Sequence, residues 1–154
     1  MIKINVILNN ITWKKYLKNP HSFIDKKIGL LNKKNKLYKK KTLICSLLLS
    51  GSKEIRKLNK KFRKKNKSTD ILSFPFHKKN ELNNKIKKEK EIYLGDIIIN
   101  LSKIKKKNNK TKFQEELNKL WVHGLVHLFG HKHKTHQDFN TMHKIEKKYL
   151  EYIN

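Results

Sequence analysis

The stretch from Val122 to His133, Val-His-Gly-Leu-Val-His-Leu-Phe-Gly-His-Lys-His, constrains this chain more than any other. His123 and His127 are spaced i, i+4, so on a helix both imidazoles leave the same face one turn apart and can share a cation. Gly130 stands where such a helix needs a left-handed residue to stop, and glycine takes that conformation without a Cβ penalty. The chain can then turn back and deliver His133 to the same point. Three neutral imidazoles are the ligand set of a catalytic zinc ion, which keeps one position open. A closed structural zinc site draws on four ligands rich in Cys, and Cys45 is the only cysteine.

A His-x-x-x-His pair alone fits a surface or packed pair as well as a metal site. The third His behind a helix-stopping Gly tips the balance. The spacing is that of the metzincin pattern His-Glu-x-x-His-x-x-Gly-x-x-His, with Gly124 in place of the general-base Glu. Without that carboxylate, peptide hydrolysis by the metzincin route is disfavoured.

Composition bounds the rest. The 154 residues suit one domain, 1–154, with a single core. Lys and Arg total 39 against 12 acidic residues, a formal net charge of +27. Such a charge favours RNA, DNA or anionic membrane surfaces through counterion release. Abundant Lys, Asn and Ile are also what an A/T-rich genome encodes, so charge alone does not establish a polyanionic partner. Cys45 lies in an apolar run and reads as a small buried hydrophobe. With no secretory signal and no run near the ~20 apolar residues of a membrane span, a soluble cytoplasmic protein without a membrane partner is expected.

In chain order, Ile2 to Leu8 alternates as a half-buried strand. A helical pattern follows through Ile28, broken at Asn19-Pro20. Asn32 to Lys41 reads as a solvated connector, and Thr42 to Leu49 as an interior strand. Ser52 is the expected N-cap of a helix presenting Ile55, Leu58, Asn59 and Phe62. Ile71 to Phe74 is a short strand, and Pro75 argues for a sheet edge or a strand end at that point. His77 to Lys90 is expected to be an exposed connection. Ile92 to Leu101 is a strand interrupted at Gly95-Asp96. From Thr111, Leu117, Leu120, Trp121, Leu125 and Leu128 trace a deeply buried helix leading into the His cluster, with Trp121 as core packing. Phe139, Met142, His143, Ile145, Glu146, Tyr149, Leu150 and Ile153 suggest a last amphipathic helix beside it.

Three segments together resemble one family, the YbeY-type metal-dependent endoribonucleases, or ribosomal RNA maturation factors. Its metal signature, approximately His-Gly-x-Leu-His-Leu-x-Gly-Tyr-Asp-His, stands here as residues His123 to His133. Leu58-Asn59, Arg63 and Thr69 to Pro75 look like its second block, and Leu94 to Ile97 like its third. The resemblance implies an α+β fold, with helices packed on a small mixed β-sheet and the metal site at the end of a central helix. It implies one zinc ion held by His123, His127 and His133 in a basic cleft. The implied activity is single-strand-specific RNA cleavage in small-subunit ribosomal RNA end maturation and ribosome quality control, with ribosomal RNA and the small subunit as partners. Arg63 matches an arginine the family places near the metal. Two departures stand out: His131-Lys132 replaces Tyr-Asp, exchanging an acid for a base, and Val126 replaces a bulkier apolar residue. If that acid orients a ligand, its loss lowers metal affinity by ~10-fold unless support comes from elsewhere.

The chemistry is consistent with this without the family. A metal held by three imidazoles acidifies water and polarises a phosphoryl oxygen. The Arg63 guanidinium suits phosphate bidentately, though a structural ion pair or a helix C-terminal cap also fits it. Asp96 is a candidate acceptor for a ligating His, or a turn residue. Ser73 and Thr69 are candidate phosphate contacts, while His131 and His136 read as solvent-facing. No general base is legible. Two other readings remain open at this point: a metal hydrolase of another substrate, and a non-catalytic ribosome-associated RNA-binding protein stapled by a structural metal.

Overall fold

The structure is a computed structural model that describes residues 1–154. Four strands form one sheet: β1 (Ile2–Leu8), β2 (Thr42–Ser50), β3 (Ile71–Pro75) and β4 (Glu91–Asn100), in the order β1-β2-β4-β3. The β1/β2 and β2/β4 pairs are parallel, and β3 runs antiparallel to β4 along one edge. The fold is therefore α+β with a mixed sheet, and Pro75 lies on the edge strand, where its missing N–H costs no ladder bond. The break at Gly95-Asp96 is a register shift opposite Ile44 and Cys45, a bulge within a continuous strand.

Helices α1 (Pro20–Lys34), α4 (Lys110–Leu128) and α5 (His136–Ile153) cover one face. Alternate residues Leu43, Cys45, Leu47 and Leu49 of β2 point into this core, where Trp13, Phe113 and Trp121 are fully buried. Both indoles find acceptors: Trp13 Nε1 donates to the Ser50 carbonyl at 2.9 Å, and Trp121 Nε1 to Asn118 Oδ1 at 3.0 Å. Helix α2 (Ser52–Arg63) covers part of the other face, closing Ile55, Leu72 and Ile98 into a smaller apolar cluster.

Several local expectations are corrected. Residues 77–90 are not an exposed connection, because Lys79–Lys88 forms α3, anchored by buried Leu82 and opened by Glu81, whose Oε2 accepts from the Lys78 N–H at 3.1 Å. Helix α1 also runs three residues into the expected connector, reaching Lys34. The N-cap of α2 is Gly51 rather than Ser52, whose hydroxyl is engaged by Asn100 Nδ2 at 3.0 Å. Phe62 is not packed inside but exposed, resting against Phe74 with ring centroids 5.2 Å apart. On α5, Met142, Tyr149 and Ile153 are buried, whereas Phe139 and His143 face solvent.

Candidate metal centre

Helix α4 is exposed at its start but almost wholly buried from Trp121 to Leu128, where it packs against the sheet. Gly124 sets the spacing: a Cβ there would lie 2.7 Å from Ile97 Cγ2 and 3.1 Å from Ile71 Cδ1. A glutamate at this position would force the helix off β4, which gives the absent metzincin carboxylate a packing reason as well. The helix stops at Gly130, whose φ of +83° is left-handed, and a Cβ there would meet Lys79 Cβ at 2.8 Å. The Gly130 N–H donates to the His127 carbonyl at 2.9 Å, and the chain folds back over the helix end.

That turn brings His133 to His123 and His127. One ring nitrogen from each of the three lies within 4.8 Å of the others. The His123 and His127 rings meet edge to face at 4.5 Å, with His133 at 5.7 Å and 5.0 Å from them. His123 Nδ1 donates to Glu146 Oε1 at 2.7 Å, and His127 Nδ1 donates to the His131 carbonyl at 2.8 Å. Both partners are pure acceptors, so both Nδ1 atoms carry a hydrogen, and Nε2 is the atom each ring turns toward the other. Those two Nε2 atoms face each other at 3.0 Å, close enough to share one cation. A cation resolves this arrangement, and Zn–N bonds of ~2.0–2.1 Å at a tetrahedral angle would space the two nitrogens about 3.3 Å apart. Burial, reinforced by the neighbouring His123, His133 and Arg63, holds the His127 imidazole down at a pKa of about 4, so it is neutral near pH 7 as a ligand must be. The histidine group therefore fits a metal ion.

The cleft above it has a volume of about 990 Å³, and its lining includes Arg63, Ser73, Lys79 and Lys134 as well as the imidazoles. Arg63, the last residue of α2, is exposed and forms no ion pair; its Nη2 reaches the Ser73 carbonyl at 3.5 Å. Thr69 also lines the cleft, its hydroxyl turned to Asp70 Oδ1 at 3.1 Å. Asp96 does not support a histidine. It lies on the opposite face of the sheet, where Tyr93 donates to its Oδ1 at 2.6 Å. His131 is half-buried rather than solvent-facing and contributes its carbonyl, while His136 is exposed in the first turn of α5.

The acid that holds His123 is Glu146 on α5, which sequence reasoning placed only on an amphipathic helix. A signal for it existed. Met142, Tyr149 and Ile153 mark the buried stripe of α5, and Glu146 falls within it at i+4 from Met142. An acid in an apolar stripe asks for a partner. Support for the two helical histidines thus comes from Glu146 and from the His131 backbone carbonyl, not from the side chains that replace Tyr-Asp.

A mixed α+β chain whose buried central helix ends in three converging imidazoles beside an open basic cleft has the layout of a metal-dependent hydrolase. Comparison narrows the class. Residues 8–154 match the family described as endoribonuclease YbeY, and the chain belongs to that family. The endoribonuclease YbeY of Pelagibacter ubique is 39% identical over 148 residues, spanning 95% of this chain and 92% of that protein. The endoribonuclease YbeY of Buchnera aphidicola subsp. Schizaphis graminum is 33% identical over 157 residues, spanning 99% and 92%. The solution structure of a Thermotoga maritima protein shares the fold, with a TM-score of 0.59 at 24% identity over 98% of this chain and 89% of that one.

Proposed function

We propose that this chain is a zinc-dependent endoribonuclease that cleaves single-stranded RNA during maturation of the small-subunit ribosomal RNA end. It works in the cytoplasm as a single domain in association with the small subunit. The observation that carries the reading is the convergence of three imidazoles, with the His123 and His127 Nε2 atoms 3.0 Å apart beside His133, within a family of endoribonucleases. His123, His127 and His133 would hold the ion, which supplies Lewis acidity toward a phosphoryl oxygen and acidifies a water molecule.

The protein's own residues do the remaining work. Glu146 and the His131 carbonyl fix both helical imidazoles in the Nδ1–H tautomer, so no ring has to reorient during turnover. Arg63 stands on the cleft wall with its guanidinium free of any carboxylate, placed to bind the non-bridging oxygens of the scissile phosphate as charge builds on them. Lys79 and Lys134 on the same cleft attract the flanking phosphates. Full-length protein, chelated and then reloaded with zinc, should cut a single-stranded ribosomal RNA fragment only when reloaded and leave its duplex intact. Equal cleavage of both strand states, or cleavage surviving chelation, would refute the proposal.

A further inference from the structure

A second cavity opens behind the histidine cluster, between α4 and α5. Its volume is about 710 Å³, within the roughly 300–1,000 Å³ of sites that hold small molecules. Ile71 and His123 line both it and the metal cleft, so the two are continuous. Its floor is the exposed part of Ile71, Leu120 and Leu150, half-buried residues that otherwise pack on the core. Lys119 and Lys147 stand on its rim, exposed and without a salt bridge.

At its mouth on α5 the wall runs out into an unusual pair. His143 lines the cavity, and Phe139, one turn earlier, lies parallel to it with ring centroids 5.9 Å apart and planes 3° apart. Phe139 is 54% exposed, so this flat stack is largely open to solvent. Residues 139, 143, 147 and 150 recur at i, i+4, i+8 and i+11, placing stack, lysine and apolar floor on one helix face. An aromatic ledge beside an apolar floor, with free ammonium groups above, matches one nucleotide of a single strand: a flat base and a phosphate.

We propose that this cavity is the subsite for an unpaired nucleotide flanking the scissile phosphate. Its base stacks on the Phe139–His143 ledge over Leu120 and Leu150, and its phosphate is held by Lys119 and Lys147. Glu151, on the same wall, accepts from an exocyclic amino group of the base, as carboxylates do from cytosine N4. The proposal rests on the RNA-cleaving reading of the adjacent histidines. It also supplies a source of strand selectivity, since a base held in a duplex cannot turn onto the ledge.

The test compares zinc-loaded wild type with a Phe139→Ala/His143→Ala variant, two exposed positions whose truncation leaves the thermal midpoint in place. Each protein is titrated at fixed salt with a single-stranded RNA hexamer and with an abasic hexamer carrying the same phosphates. Wild type should bind the base-bearing strand about 10-fold or more tightly than the abasic one, and the variant should lose that preference while binding the abasic strand equally. Equal binding of both strands by wild type, or a preference that survives in the variant, would overturn the subsite. Cleavage assayed on the same preparations separates the two claims. Base preference without cleavage sinks the ribonuclease reading, and with it the placement beside a scissile phosphate, whereas cleavage without base preference sinks the subsite alone.

Discussion

Two polar clusters lie on opposite faces of the sheet, and they are built on opposite principles. Around Tyr93, donors and acceptors match: Ser46 Oγ lies 3.0 Å from the phenol, which donates to Asp96 at 2.6 Å. Around His127 they do not match. Both Nδ1 hydrogens are spoken for, and the two Nε2 atoms are left facing each other at 3.0 Å. A closed chain of hydrogen bonds needs nothing further and stabilises the fold. A convergence of acceptors costs the fold free energy unless a cation completes it, which is the mark of a binding centre. Asp96 and Glu146 make the point as a pair of carboxylates. The one in the conspicuous Gly95-Asp96 pair is structural, and the one hidden in a helical stripe supports a histidine of the cluster.

The difference can be tested residue by residue. Among supporting residues the largest effect belongs to Glu146→Ala, which should weaken metal affinity by about 10- to 100-fold, measured by competition with a chelating dye. Glu146→Gln should recover part of it, because the amide oxygen still accepts from His123 Nδ1. Gly124→Ala comes next. Its methyl group would press on Ile97, costing ~1–3 kcal/mol in a denaturant titration and lowering metal affinity as α4 shifts. Tyr93→Phe should cost only ~0.5–1.5 kcal/mol and leave metal affinity unchanged, since its partners lie across the sheet. A comparable loss of metal in Tyr93→Phe and Glu146→Ala would dissolve the contrast.

Cys45, on β2 one residue before Ser46, gives the smallest and most local check. Burial, aided by the Asp96 charge, pushes its thiol up to about 12 from an ordinary value near 9.0. A raised thiol pKa means the native state keeps a proton that the unfolded chain releases. Its contribution to stability is therefore full below pH 9 and is lost as pH climbs toward 12. The unfolding midpoint should fall across that range in wild type and less in Cys45→Ala. At neutral pH, native Cys45 should resist alkylation that unfolded protein accepts readily.

Much of this was legible in the sequence, for identifiable reasons. The strands announced themselves by alternation or by dense Leu and Ile. The convergence of His123, His127 and His133 follows from a helical period plus one glycine, both local properties. What escaped depends on distant packing. Helix α3 hid in a Lys- and Asn-rich stretch because only Leu82 and half-buried Ile86 anchor it, and two apolar residues in ten make a faint period. Glu146 reaches His123 from another helix, twenty-three positions along the chain. Phe139 read as core because an aromatic at helical spacing is usually buried, yet here the helix stripe begins one turn later, at Met142.

The measurement that bears most directly on the central claim is cleavage of an end-labelled, single-stranded ribosomal RNA fragment by wild type and by His127→Ala, purified identically and assayed at one salt concentration. A chain of formal net charge +27 binds RNA whether or not it cuts it, so binding must be followed alongside. The account predicts that both proteins bind, that wild type cuts, and that the variant, still folded, cuts at least about 100-fold more slowly. Equal cleavage by the two proteins would contradict it.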